Sequence, residues 1–192
     1  MVNNGEHGIN EYLSITTPTI HKGDKVLWKG ESVGTHAGFQ IERLQSKSNF
    51  SSTGNFKAYG NICSLLNEEF NEEVLTTSFS GLFYDCKKLI SAKNLVLPRK
   101  LTDYAFYNFF YGCSSLIDFP ELPETNLTNY CYSYMFAYCS SLNSTPELPS
   151  TTLASHCYDS MFSNCSSLTN VTKLPATTLA EQCYYKMFKD CL

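Results

Sequence analysis

The 192-residue sequence predicts an α/β solenoid: a parallel ladder of short strands with short helices, preceded by a small N-terminal β cap. Three observations carry that prediction. The chain repeats itself, since "CYDSMFSNCSSLTNVTKLPATTLAEQ" (157–182) matches "CYSYMFAYCSSLNSTPELPSTTLASH" (131–156) at 14 of 26 positions. The repeated positions sort into columns of constant chemistry, as stacked units require. Each unit also holds one extended stretch that ends at a proline and one stretch with helical spacing.

The frame extends in both directions. Residues 105–130 match the following unit at 11 of 26 positions, and residues 78–104 form a unit one residue longer. "CYYKMFKDCL" (183–192) begins another unit and stops before its leucine-to-proline stretch, which reads as a segment of a longer array. A period of 26 lies within the 20–29 residues of leucine-rich repeats, so the class is an α/β leucine-rich-repeat solenoid.

The columns define the expected core. Leu116, Leu142 and Leu168 share one slot; Leu122, Leu148 and Leu174 share another; Leu127, Leu153 and Leu179 share a third. Phe110, Phe136, Phe162 and Phe188 run beside Phe109, Met135, Met161 and Met187. Phe106, Tyr132, Tyr158 and Tyr184 form an aromatic column. Two columns have no common chemistry and read as outward: Tyr107, Ser133, Asp159, Tyr185, and Gly112, Tyr138, Asn164, Asp190.

Stretches such as "LTNVTKLP" (168–175) read as strands ending at proline. In "TTLAEQCYYKMFKDC", Thr177 or Thr178 is an N-cap candidate, and Leu179, Cys183 and Met187 follow at helical spacing. The repeats occupy 67–192. Residues 1–66 do not fit the period and read as the cap, with short strands around Val26, Leu27 and Trp28 and around Phe50, Phe56 and Tyr59. Trp28 serves as a core or cap aromatic, or as a ligand platform. Glu68, Glu69, Glu72 and Glu73 read as a solvated helix face.

Nine cysteines need a role. One column is Cys86, Cys113, Cys139, Cys165, Cys191, and a second is Ala105, Cys131, Cys157, Cys183. Disulfides would leave odd members, since Ala105 removes the partner of Cys113. Zinc sites want close ligand pairs, whereas seven and seventeen residues alternate between these cysteines. None of the four histidines (His7, His21, His36, His156) recurs in a column. The third reading is packing: free cysteine is a small buried hydrophobe, and its exchange with Ala105 fits a narrow slot.

Function classes narrow by the same means. Net charge is −4 with no basic block, which argues against nucleic acid as partner. No apolar run approaches the ~20 residues that span a bilayer. No phosphate loop, zinc-protease motif or nucleophile elbow is present, so no catalytic, metal or cofactor residues are assigned. The candidate ligand-binding residues are Tyr107, Tyr111, Tyr134 and Tyr138, aromatics at variable positions of the expected helices. Tyrosine brings contact area at low entropic cost. The outward strand positions hold Asp118, Glu121, Ser144, Glu147, Asn170 and Lys173.

The pattern "CYxxMFxxCSSLxxxxxLPxTTLA" resembles the BspA-like leucine-rich repeats of bacterial surface proteins. "GNICSLLNEEF" and "LFYDCKKLISAKNLVLP" look like segments that introduce such arrays, and "KGDKVLWKGE" resembles the β region preceding them. The resemblance implies a non-enzymatic adhesion module at the cell surface or outside the cell. Its partners would be proteins or glycans on host or microbial surfaces, bound by a monomeric rod. The alternative is a spacer or assembly element that associates end to end through its last unit. The N-terminal "MVNNGEHGINEYL" is polar and carries no secretion signal.

Overall fold

The computed structural model describes residues 52–65, 79–123 and 126–191. The expected strands around Val26–Trp28 and the acidic run at Glu68–Glu73 lie outside the described residues. Strand β1 (Phe56–Asn61) pairs in parallel with strand β2 (Leu89–Val96), from Phe56 opposite Leu89 to Asn61 opposite Val96. A 3₁₀ turn, Ile62–Leu65, follows β1 at once. Asn61 starts it by accepting a hydrogen bond from the Cys63 amide on its side-chain oxygen, at 2.9 Å. Ile62 and Cys63 are buried in the same core as the repeats.

Beyond β2 the ladder is carried by other means. Ser144 bridges Asn170 and Thr152 bridges Thr178, each in parallel. Between those bridges lies the Pro-Glu-Leu-Pro segment at 146–149, which the unit before repeats at 120–123, and its prolines have no N–H to donate. Side chains replace part of the missing ladder. Asp118 accepts from the amides of Ala92 and Lys93 and from the Ser91 hydroxyl, at 2.9–3.0 Å. Thr145 accepts the Thr172 amide at 2.9 Å.

The stretches expected as helices are runs of turns. In each run every fourth residue is left-handed: Tyr104, Asn108 and Gly112, then Tyr130, Tyr134 and Tyr138, then His156, Ser160 and Asn164, then Gln182, Lys186 and Asp190. The amides alternate in duty. Tyr132, Tyr134 and Phe136 donate to Cys157, Asp159 and Met161 of the next unit, at 2.9–3.0 Å. Ser133, Met135 and Ala137 donate three residues back within their own unit. An α-helix directs its N–H groups to its own carbonyls and cannot do this.

Pitch decides between the two. Corresponding rings of Phe110, Phe136, Phe162 and Phe188 stack with centroids 5.4–5.7 Å apart. Helix axes approach only to about 8–10 Å. Units stacked this closely therefore coil their second segment as flat turns.

The core follows the columns. Leu116 and Leu142 are fully buried and Leu168 nearly so, as are Phe109, Met135, Met161 and Met187. Leu127 and Leu153 only pack against the core's margin, and Leu179 is exposed. One column expected to face outward departs further. Ser133 and Asp159 are buried, while Tyr185 is exposed. Asp159 tolerates burial because its carboxylate accepts the Ser160 hydroxyl at 2.7 Å and lies 3.0 Å from His156 Nδ1.

Candidate binding surface

The first left-handed residue of each turn run lies at the surface in register, unit upon unit. Tyr104 stacks on Tyr130 (4.7 Å, 4°), and Tyr130 stacks on His156 (4.4 Å, 11°). A second column stacks Tyr84 on Tyr111 (4.8 Å, 3°), with Tyr138 tilted against Tyr111 at 5.1 Å. Tyr107 bridges toward the first column, edge to face with Tyr104 at 5.7 Å, and meets Tyr134 at 5.9 Å.

The four tyrosines singled out from the sequence thus fall into two ring clusters, Tyr107 and Tyr134 with the first column and Tyr111 and Tyr138 with the second. Tyr107, Tyr111 and Tyr134 are half-buried and Tyr138 is 47% exposed. Their electrostatics are shared. Burial, then the neighbouring phenols of Tyr138 and Tyr84, push Tyr111 up to about 12. Burial and Tyr134 raise Tyr107 as well. Sequence reasoning missed Tyr84, Tyr104, Tyr130 and His156. The signal was present for three of them, because Tyr104, Tyr130 and His156 stand 26 residues apart.

His156, Asp159 and Ser160 place a histidine, a carboxylate and a hydroxyl together. They do not form a nucleophilic triad. The Ser160 hydroxyl donates to Asp159 rather than to the histidine, and it is 2% exposed. The group instead anchors the His156 ring beneath the Tyr130 stack.

The cysteines form a ladder behind this surface. All nine are free thiols, and eight are buried. Cys113, Cys139, Cys165 and Cys191 donate their S–H to the carbonyls of Phe83, Phe110, Phe136 and Phe162, at 2.9–3.2 Å. Each of these bonds joins one unit to the one before it. Burial pushes Cys86, Cys131 and Cys165 up to about 12, so these thiols hold their protons and are poor nucleophiles.

No helix among the described residues is long and apolar enough to cross a membrane. No protein-family model matches this chain, and no curated protein or solved structure is significantly similar to it.

Proposed function

We propose that this chain is a segment of a leucine-rich-repeat solenoid of the BspA-like kind. In this reading it works without catalysis as an adhesion module at the cell surface, engaging proteins or glycans. The observation that supports it most is the pair of stacked aromatic clusters, Tyr104, Tyr107, Tyr130, Tyr134 and His156 in one and Tyr84, Tyr111 and Tyr138 in the other. Stacked rings lock one another in place, so little side-chain entropy is left to lose on binding. Rings whose faces cover each other offer edges and hydroxyls outward, which favours a protein partner over a sugar that stacks on an open face.

The test is a panel of extracellular proteins and a glycan microarray, probed with the native chain and with Tyr107→Ala/Tyr134→Ala. Binding that falls roughly tenfold or more in the double variant, equivalent to about 1.4 kcal/mol, supports the reading. Binding that is indifferent to both substitutions removes it.

A second reading rests on a different observation. The amides of Gln182, Tyr184, Lys186, Phe188 and Asp190 have no acceptor among the described residues, although the matching amides of the units before all have one. Phe188 and Tyr184 are only partly buried there. In a longer chain the next repeat would take these donors; in a spacer or assembly element, a second copy would take them end to end. Sedimentation velocity over a hundredfold concentration range distinguishes the readings, because such association is insensitive to the tyrosine substitutions.

A further inference from the structure

A second surface lies away from the tyrosines, at the proline-ended side of the units. Phe119, Pro120, Glu121 and Leu122 of one unit and Pro146, Glu147 and Pro149 of the next line an open groove of about 360 Å³. The sequence explains why it opens there. "PELP" occurs in two successive units, at 120–123 and 146–149, and its prolines cannot donate the ladder bonds that would draw the two strands together. The unit after them reads "TKLP" and has no proline before its lysine.

The groove combines an apolar floor with an acidic rim. Pro120, Leu122 and Pro146 are buried, and Phe119 is half-buried. Glu121 and Glu147 occupy the same position of adjacent units, and both are exposed. Neither has an ion-pair partner among the described residues. Like charges at matching positions of adjacent units repel, so a cation beside them relieves a cost already present. In the third unit the same position is Lys173, which ends the acidic rim.

We propose that this groove receives a lysine or arginine side chain of a protein partner. The aliphatic stem lies along Phe119, Leu122 and Pro146, and the charged head sits between Glu121 and Glu147. A long basic side chain has both parts, whereas a bare metal ion would leave the apolar floor uncovered. The site is independent of the tyrosine surface and stands or falls separately from it.

The probe is the peptide acetyl-(Gly-Lys)4-amide, with acetyl-(Gly-Glu)4-amide as control. Zero-length carbodiimide coupling to the full chain at low salt, read by mass spectrometry, should join the lysine peptide mainly to Glu121 and Glu147. Coupling at the similarly exposed Glu181 and Asp103 should be several-fold lower. Glu121→Gln/Glu147→Gln should weaken binding of the labelled lysine peptide roughly tenfold, one lost charge-assisted contact in scale. Lys173→Glu, which lengthens the acidic rim by one unit, should strengthen it. All three positions are exposed, so thermal unfolding should stay where it is in every variant. Coupling spread evenly over exposed carboxylates, or binding unchanged in the double glutamine variant, overturns the proposal.

Discussion

The Cys139 thiol donates to the carbonyl of Phe110, 3.2 Å away in the preceding unit. That carbonyl already accepts the Cys113 amide at 3.0 Å, so the sulfur adds a second bond where two units meet. The recurring cysteine is therefore a small apolar filler with a donor at its tip.

Substitution separates the two roles. Cys139→Ala removes volume and donor together and should cost about 2 kcal/mol. Cys139→Ser keeps a donor in reach of Phe110 and should cost less. Urea unfolding followed by circular dichroism measures both. A serine variant weaker than the alanine variant would leave the thiol as filler alone.

Alkali should unfold the protein through these thiols. Burial holds Cys86, Cys131 and Cys165 near 12, against an ordinary value of 9.0. For a raised value the stabilisation is complete below 9.0 and is lost as pH climbs from there toward 12. Equilibrium unfolding from pH 8 to 11 should show stability level at first and falling above 9. Cys191, the one thiol that is not buried, should react first with maleimide at pH 8.

Gly112 occupies a left-handed position at φ 73°, where an added Cβ would sit 2.9 Å from Asp85 Oδ1. Gly112→Ala meets both the conformational penalty and the clash, and should cost about 2 kcal/mol. Asp85→Ala should restore part of that loss in the double variant, which a thermodynamic cycle measures. Additive costs would mean that the contact is relieved by side-chain rotation.

Asp118 holds three donors of the preceding unit, from Ser91, Ala92 and Lys93. Asp118→Ala should cost about 2–3 kcal/mol, because hydrogen bonds to a charged acceptor are among the stronger ones. Amide exchange should then quicken first at Ala92 and Lys93. Unchanged protection at those two amides would show that their bonds are dispensable.

The sequence columns made much of the core legible, because a stacked unit buries the same position each time. Leu116, Phe136 and Met161 needed no further information. The turn runs were not legible. A period counted in residues does not state the rise per unit, and the rise is what excludes helices. Leu179, Cys183 and Met187 satisfy helical spacing equally well as consecutive turns.

The surface was legible in part. Tyr107, Tyr111, Tyr134 and Tyr138 stood out as aromatics at drifting positions. The Tyr104–Tyr130–His156 stack did not, because its third member changes residue type while keeping ring shape. Asp159 looked outward for a similar reason. Its column shows no common chemistry, and only the hydrogen bonds with His156 and Ser160 account for its burial.

The alternation of amide duty gives the stack an arrow. Within the turn runs the amides that leave their own unit donate to the following one, and the carbonyls that receive them face the preceding one, so two copies cannot meet donor row to donor row. Length then changes only in whole steps. Excising residues 131–156 would pass the Phe106 amide from the carbonyl of Cys131 to that of Cys157 and leave every neighbour of the same kind. Excising residues 131–143, half a unit, would set Phe110 against Pro149 and the wrong chemistry against every other position. The chain is a ruler graduated in marks of 26 residues, with one of 27 at 78–104, and whole units are the steps in which evolution or an engineer can lengthen or shorten it without breaking register.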